Sequence, residues 1–253
     1  MDGFDITIMI PALIAGIIVL LTHVPLGIEV LKRGIIFIDL AVAQIAGLGV
    51  IVAYVAGFGE HGMVAQLAAV TSALFGAWLL SLCERQHGEH QEAVIGISFI
   101  LAATAGILLL AHNPHGGEHL REMLVGQILW VQFDQLVVAA VISLIIVLLW
   151  QFTGLRRTRY GFYTLFAIAV TVSVQLVGVY LVFASLIIPA LAVAIVAAPN
   201  RYIMAYAIGI KGYLTGLLVS LFTDLPSGAL IVWGIASVAL IYVLLFRPAS
   251  GGR

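Results

Sequence analysis

Long apolar stretches alternate with short polar breaks along the whole chain. Predominantly apolar runs cover residues 6–30, 35–58, 63–83, 93–111 and 135–152, then one long tract over 162–198, then 202–222 and 227–246. About 20 apolar residues are what a helix needs to cross the hydrocarbon core of a bilayer. Helices satisfy their own backbone there, so such runs predict spans. The tract 162–198 is too long for one crossing and short for two. Gly178 lies near its middle and Pro189 further on. Proline withdraws a backbone donor and interrupts a helix. Two short crossings are therefore expected in this tract, one of them broken, for about eight or nine in all. No period of 20–50 residues repeats and no linker divides the chain, so residues 1–253 are expected to form a single all-α transmembrane domain.

Composition agrees with this pattern. Hydrophobic residues make up 63% of the chain and charged residues 9%. A soluble domain carries about 25% charged residues, so this chain must face lipid. The net charge of −1 is silent on nucleic acid, but no basic stripe exists that could track phosphates, so no nucleic-acid partner is expected. The single cysteine, Cys83, excludes an intrachain disulfide and a cysteine zinc site. The start, Met1–Asp5, is acidic where a secretory signal is basic, so the first run is read as a retained span.

Charge also orients the chain, because Lys and Arg concentrate in cytoplasmic loops. Lys32 and Arg33, Arg85, and Arg156, Arg157 and Arg159 fall in alternate connections. The opposite connections, 57–62 and 112–122, hold only Arg121. The N-terminus is expected outside, and the C-terminus, with Arg247 and Arg253, in the cytoplasm.

Motifs in one order resemble those of the zinc/manganese ABC importer permeases, the ABC-3 family. Near the start, Leu31-Lys32-Arg33 is followed by Asp39-Leu40-Ala41. In the middle stand Glu92 with Gly96-Ile97-Ser98-Phe99, and Leu124-Val125-Gly126-Gln127-Ile128-Leu129. Later come the stretch Gln175 to Ala190, containing Gly178 and Pro189, and Asp224-Leu225-Pro226-Ser227-Gly228-Ala229. The resemblance implies a type II importer-like permease of the bacterial cytoplasmic (inner) membrane. It implies a homodimer, a separate cytoplasmic ABC ATPase and an extracytoplasmic metal-binding protein. The chain carries no Gly-x-x-x-x-Gly-Lys-Ser/Thr phosphate loop, so it is not expected to be an enzyme itself. Two departures stand out. Where the family carries a histidine four residues after the span-two aspartate, this chain has Ala43, with Gln44 beside it. The segment before span six, which docks the ATPase in the family, is shortened to residues 154–161.

Several polar residues are candidates for chemistry. Asp39 is the foremost, since a carboxylate within a span costs about 2.5–3.5 kcal/mol on insertion scales and faces a pathway or a partner. Its alternative is an ion pair with Lys32 or Arg33. Gln44, His23 and Glu29 are further pathway candidates; for His23 the alternative is plain helix packing. His87 and His90 with Glu89 and Glu92, and separately His112, His115 and His119, are candidate metal contacts, because imidazole and carboxylate suit Zn²⁺ or Mn²⁺. Each group has a polar loop as its alternative. Arg156, Arg157, Arg159 and Gly161 are candidates for ATPase coupling. Gly178, Pro189, Pro226 and Gly228 read as backbone devices, with Ser227 as a helix cap. Lys211 lies inside a span and Asp224 is its expected partner.

The function expected from all this is the membrane-spanning subunit of an ATP-driven importer for a divalent transition metal. The histidines tilt the cargo towards zinc, with manganese or iron as the alternatives, and no tightly bound cofactor is expected. A secondary carrier driven by an ion gradient is the competing reading. It needs paired titratable groups deep in the spans, and here Asp39 and Lys211 stand nearly alone. A membrane enzyme ranks last, for lack of any catalytic motif.

Overall fold

The structure, a computed structural model, describes residues 6–58, 62–86, 90–113, 116–223 and 225–246. Ten α-helices follow in order: α1 (Ile6–Arg33), α2 (Ile38–Val55), α3 (Met63–Gln86), α4 (Gln91–Leu110), α5 (Gly116–Val125), α6 (Phe133–Phe152), α7 (Arg159–Val177), α8 (Val179–Ile195), α9 (Arg201–Thr223) and α10 (Ser227–Phe246). Short 3₁₀ turns at Ile128–Trp130 and Gly154–Arg157 lead into α6 and α7. Eight of these helices are long and apolar enough to cross a membrane, and α8, at 17 residues, is shorter. The chain is a helical multi-pass membrane protein.

Helices α1, α2, α7 and α8 form the buried centre. Around them, α3, α4, α6, α9 and α10 turn large apolar side chains outward, among them Phe75, Leu101, Val137, Phe222 and Trp233. A helix that is apolar on every side belongs in lipid or in a core, and this bundle uses both. Small residues bring backbones close. A methyl group added at Gly27 of α1 would lie 2.0 Å from the Leu186 carbonyl oxygen of α8. One added at Gly216 of α9 would lie 2.3 Å from the Ile231 Cα of α10. Without a hydrophobic drive in lipid, such close approach supplies the packing energy.

The long tract divides at Gly178 rather than at Pro189. Gly178 has φ 81° and ψ 163°, a conformation open to glycine and to almost nothing else. Helix α8 continues through Pro189 without a break. Two helices, α7 and the shorter α8, stand where two short crossings were expected, and neither is interrupted. Gly178 packs directly on Gly126, itself at φ 71°. A methyl at Gly178 would lie 2.4 Å from the Gly126 nitrogen, and one at Gly126 would lie 2.2 Å from the Val177 carbonyl oxygen. Gly228 at the start of α10 closes the same junction, 2.6 Å from the Val125 carbonyl by the same measure. Three distant motifs therefore meet backbone to backbone. Ser227 is not the cap of α10 but its first residue, and the Pro226 carbonyl accepts from the Leu230 amide at 3.2 Å.

This junction makes a testable contrast. Gly178→Ala should lower stability by about 2–4 kcal/mol, from backbone strain plus steric clash. Gly117→Ala, in α5 with open space around it, should be neutral or stabilising by up to about 1 kcal/mol. Thermal unfolding of the purified variants in detergent reads both signs. Equal midpoints for the two would show that the junction tolerates a side chain.

Candidate functional site: a polar chamber above a buried carboxylate

The ends of the helices set the frame. Contacts of Arg33 with residue 156 and of Arg159 with Glu84 collect the α1–α2, α3–α4 and α6–α7 connections at one end of the bundle, here the basic end. Helix α5 and the 3₁₀ turn that follows it lie away from that end, held by the Gly126–Gly178–Gly228 junction.

Beside the junction lies a cavity of about 610 Å³. Its wall draws on α2 (Ala46, Gly47, Val50), α3, the α5–α6 segment, the start of α6 and the last turns of α7. Polar groups line it: Glu122, Asp134, Gln66, Gln127, Gln135 and Gln175. Glu122 accepts a hydrogen bond from Gln127 Nε2 at 2.8 Å. Met123 adds a thioether and packs against Gly47, where a methyl would lie 2.7 Å from its Cε. Two carboxylates and several amide oxygens in a concave wall concentrate cations.

Asp39 sits below this chamber. At about 100° per residue, residues 46 and 50 fall about 20° to either side of residue 39 around α2, so Asp39 shares the face that lines the chamber at Ala46 and Val50. The seven-residue step to Ala46 is about 10 Å along the helix. Asp39 is fully buried, and neither carboxylate oxygen has a hydrogen-bond partner among the described residues. Burying a carboxylate without a partner costs several kcal/mol. Its pairing with Lys32 or Arg33 is not formed: both cations turn to Glu29, at 3.8 and 3.2 Å. Glu29 is thus an ion-pair partner of both at the basic end.

The other candidates separate. Gln44 is buried on α2, one helical turn from Gly47 of the chamber wall. His23 is fully buried in α1; its Nδ1 donates to the Val19 carbonyl at 2.9 Å and its Nε2 has no partner among the described residues. It does not line the chamber. His90 is exposed at the N-cap of α4, and Glu92 accepts from the Ile36 amide at 2.5 Å. His112 is exposed. His87, Glu89 and His115 lie outside the described residues, as does Asp224, and His119 falls in α5. Among the described residues no group of three or more His, Cys, Asp or Glu side chains could hold a metal ion. Lys211 is exposed in a groove between α9 and α10, with no ion pair to a described residue.

The coupling candidates are also resolved in part. Arg157 is exposed, but Arg159 turns inward to pair with Glu84 at 3.4 Å. The Arg156 carbonyl is taken by Arg33. Gly161 is not a free junction residue. Its amide donates to Thr158 Oγ1 at 3.2 Å, closing the N-cap of α7, and a methyl there would lie 2.4 Å from the Leu155 carbonyl oxygen. A bulky residue at 161 therefore breaks the cap and is no clean probe of docking. Sequence reasoning missed the chamber, since Glu122, Asp134, Gln66 and Gln175 stand on four separate segments. The early signals were Leu124–Leu129, whose glycine and glutamine turn out to line it, and the stretch from Gln175, whose first residue does too.

A family model described as the ABC 3 transport family matches residues 5–158 and 151–247. The chain is 25% identical over 261 residues to the "Manganese transport system membrane protein MntC" of Halalkalibacterium halodurans, covering 95% of this chain and 87% of that protein. It is 26% identical over 242 residues to the "Probable iron transport system membrane protein" of Haemophilus influenzae, covering 87% of each. In fold it is similar to a chain of PsaBC from Streptococcus pneumoniae in complex with Fab, with a TM-score of 0.75 at 21% identity, covering 96% of this chain and 92% of that one.

Two variants separate the roles of chamber and carboxylate. Asp39→Asn should leave the protein folded, since it removes an uncompensated charge, and should lower metal uptake at least about tenfold. Glu122→Gln with Asp134→Asn should raise the half-saturating metal concentration about three- to tenfold with little change in maximal rate, as expected for groups that concentrate cations. Uptake assays across metal concentration check both; wild-type behaviour of Asp39→Asn would remove it from the path.

Proposed function

The chain belongs to the ABC 3 transport family, and on that premise we propose that it is the membrane-spanning subunit of an ATP-driven importer for a divalent transition metal. The observation that carries this reading is Asp39, buried with no partner among the described residues beneath a chamber that holds Glu122 and Asp134. A cation is the natural counter-charge for such a group.

The basic end faces the cytoplasm, following the positive-inside rule. The chamber then opens towards the extracytoplasmic side, where a metal-binding protein delivers cargo, and the N-terminus lies outside. Two copies of this single domain form the transporter. A separate ABC ATPase meets the basic end around residues 154–161 and supplies the energy.

The histidines of the sequence suggested zinc. None of the described ones, His23, His90 and His112, lines the chamber, whose donors are carboxylate and amide oxygens with one thioether. Oxygen donors suit manganese. The similar proteins named for manganese and iron transport point the same way. We therefore place manganese ahead of iron and zinc.

Proteoliposomes test both parts. With the chain and its ABC ATPase partner reconstituted together, ATP should drive radioactive Mn²⁺ uptake, and a tenfold excess of Zn²⁺ should inhibit it less than the same excess of unlabelled Mn²⁺. The chain alone should not accumulate metal. Robust accumulation by the chain alone, driven by an imposed ion gradient, would show a secondary carrier instead.

A further inference from the structure

At the basic end one side chain joins three elements. Arg33 is the last residue of α1. Its Nη2 donates to the Arg156 carbonyl at 3.1 Å, its Nε donates to Glu29 Oε1 at 3.2 Å, and its guanidinium lies 4.1 Å from the centre of the Phe162 ring of α7. The connection 154–161 and the first turn of α7 are thus fastened to the end of α1 by a carbonyl bond and a cation–π contact, while the third contact, the ion pair to Glu29 within α1, holds the guanidinium in place. Only a planar guanidinium can make all three.

The chain turns immediately after Arg33. Gly34 has φ 70°, and a side chain there would meet open space. The turn is pinned on its other side as well, by the Ile36 amide donating to Glu92 of α4. Three residues beyond Ile36 stands Asp39. The segment proposed to meet the ATPase and the buried carboxylate proposed to meet the metal are therefore joined through one short, doubly fastened turn.

We propose that Arg33 is a positioning residue for energy coupling: it ties segment 154–161 to the α1–α2 turn, so that displacement of that segment by the ATPase is passed to the start of α2 and to Asp39. This rests on the reading that the ATPase docks at residues 154–161. Arg33 touches neither nucleotide nor metal. Its effect lies in the link between two sites, which is a coupling free energy and not an affinity. Removing the clasp leaves docking and hydrolysis in place and lets the segment move without the turn.

The test uses the full chain reconstituted with its ABC ATPase partner, in a Cys83-free background. ATP hydrolysis, Mn²⁺ uptake and co-purification of the ATPase are measured for the unmodified residue, for Arg33→Lys and for Arg33→Gln. Lys32→Ala serves as the matched loss of charge, since Lys32 makes only a 3.8 Å contact to Glu29. Cross-linking of Leu155→Cys to the ATPase is scored in parallel. Arg33→Lys should co-purify with the ATPase undiminished, hydrolyse ATP within about twofold of the unmodified complex, and move at least about fivefold less Mn²⁺ per ATP. Arg33→Gln, which loses the charge and with it the ion pair and the cation–π contact, should couple no better than Arg33→Lys, and Lys32→Ala should couple normally. An unchanged ratio of Mn²⁺ to ATP in Arg33→Lys, with the Leu155 cross-link formed, overturns the role of Arg33 alone. An absent cross-link in the unmodified complex overturns the docking reading and this inference with it. Loss of ATPase co-purification, or failure of both Arg33 variants to accumulate in the membrane, shows that the clasp only shapes the surface or the fold, and also overturns the proposal.

Discussion

At Gly126, Gly178 and Gly228 three stretches of backbone meet with no side chain between them, and the rest of the architecture follows from that contact. The distances a methyl group would make there, 2.2 to 2.6 Å to backbone atoms, leave no room for even alanine. The junction ends α7 and starts α8 at a backbone conformation reserved for glycine. It also holds the segment between α5 and α6 against the bundle, with Ile128 buried. Because Gly126, Gln127, Trp130 and Leu176 border the chamber, the junction fixes the wall of the cavity as well as the course of the chain. Without it, the tract 162–198 has no reason to divide where it does.

Charge is placed with the opposite logic at the two depths of the bundle. At the basic end most charged groups are engaged: Lys32 and Arg33 with Glu29, Arg159 with Glu84, Glu92 with the Ile36 amide. These contacts are partly exposed, and each adds little stability. Their use is in holding the connections in register. Deeper in, Asp39 has no such partner among the described residues. A fold optimised only for stability would replace it by an apolar residue. A break of that local rule is what the proposed cation path rests on, and the alignment of Asp39 with the chamber face of α2 gives that path a direction.

The spans were legible because lipid leaves one solution for apolar runs of this length. The division of the long tract was legible in number but not in cause. Pro189 looked like the break, yet α8 runs through it, as membrane helices tolerate an interior proline where packed neighbours supply polar groups, and the buried Ser185, with its hydroxyl bonded to Leu181 and Tyr213, sits in that turn. Gly178 carries its meaning in a positive φ and a contact with a residue far away in sequence, which no local pattern reveals. The same holds for the site. Asp39 could be picked out from its depth in an apolar run. Its freedom from Arg33, the pairing of Glu29, and the assembly of Glu122 and Asp134 with residues of four other segments depend on tertiary contacts.

The account stands or falls on where the cation rests. Anomalous scattering at the manganese edge, from crystals of the reconstituted transporter grown with Mn²⁺, locates it directly. The account predicts a peak within about 2.0–2.3 Å of an Asp39 carboxylate oxygen, below the chamber. A peak coordinated only by the histidines near residue 112, or by chamber residues with Asp39 still buried and without a ligand, would contradict it.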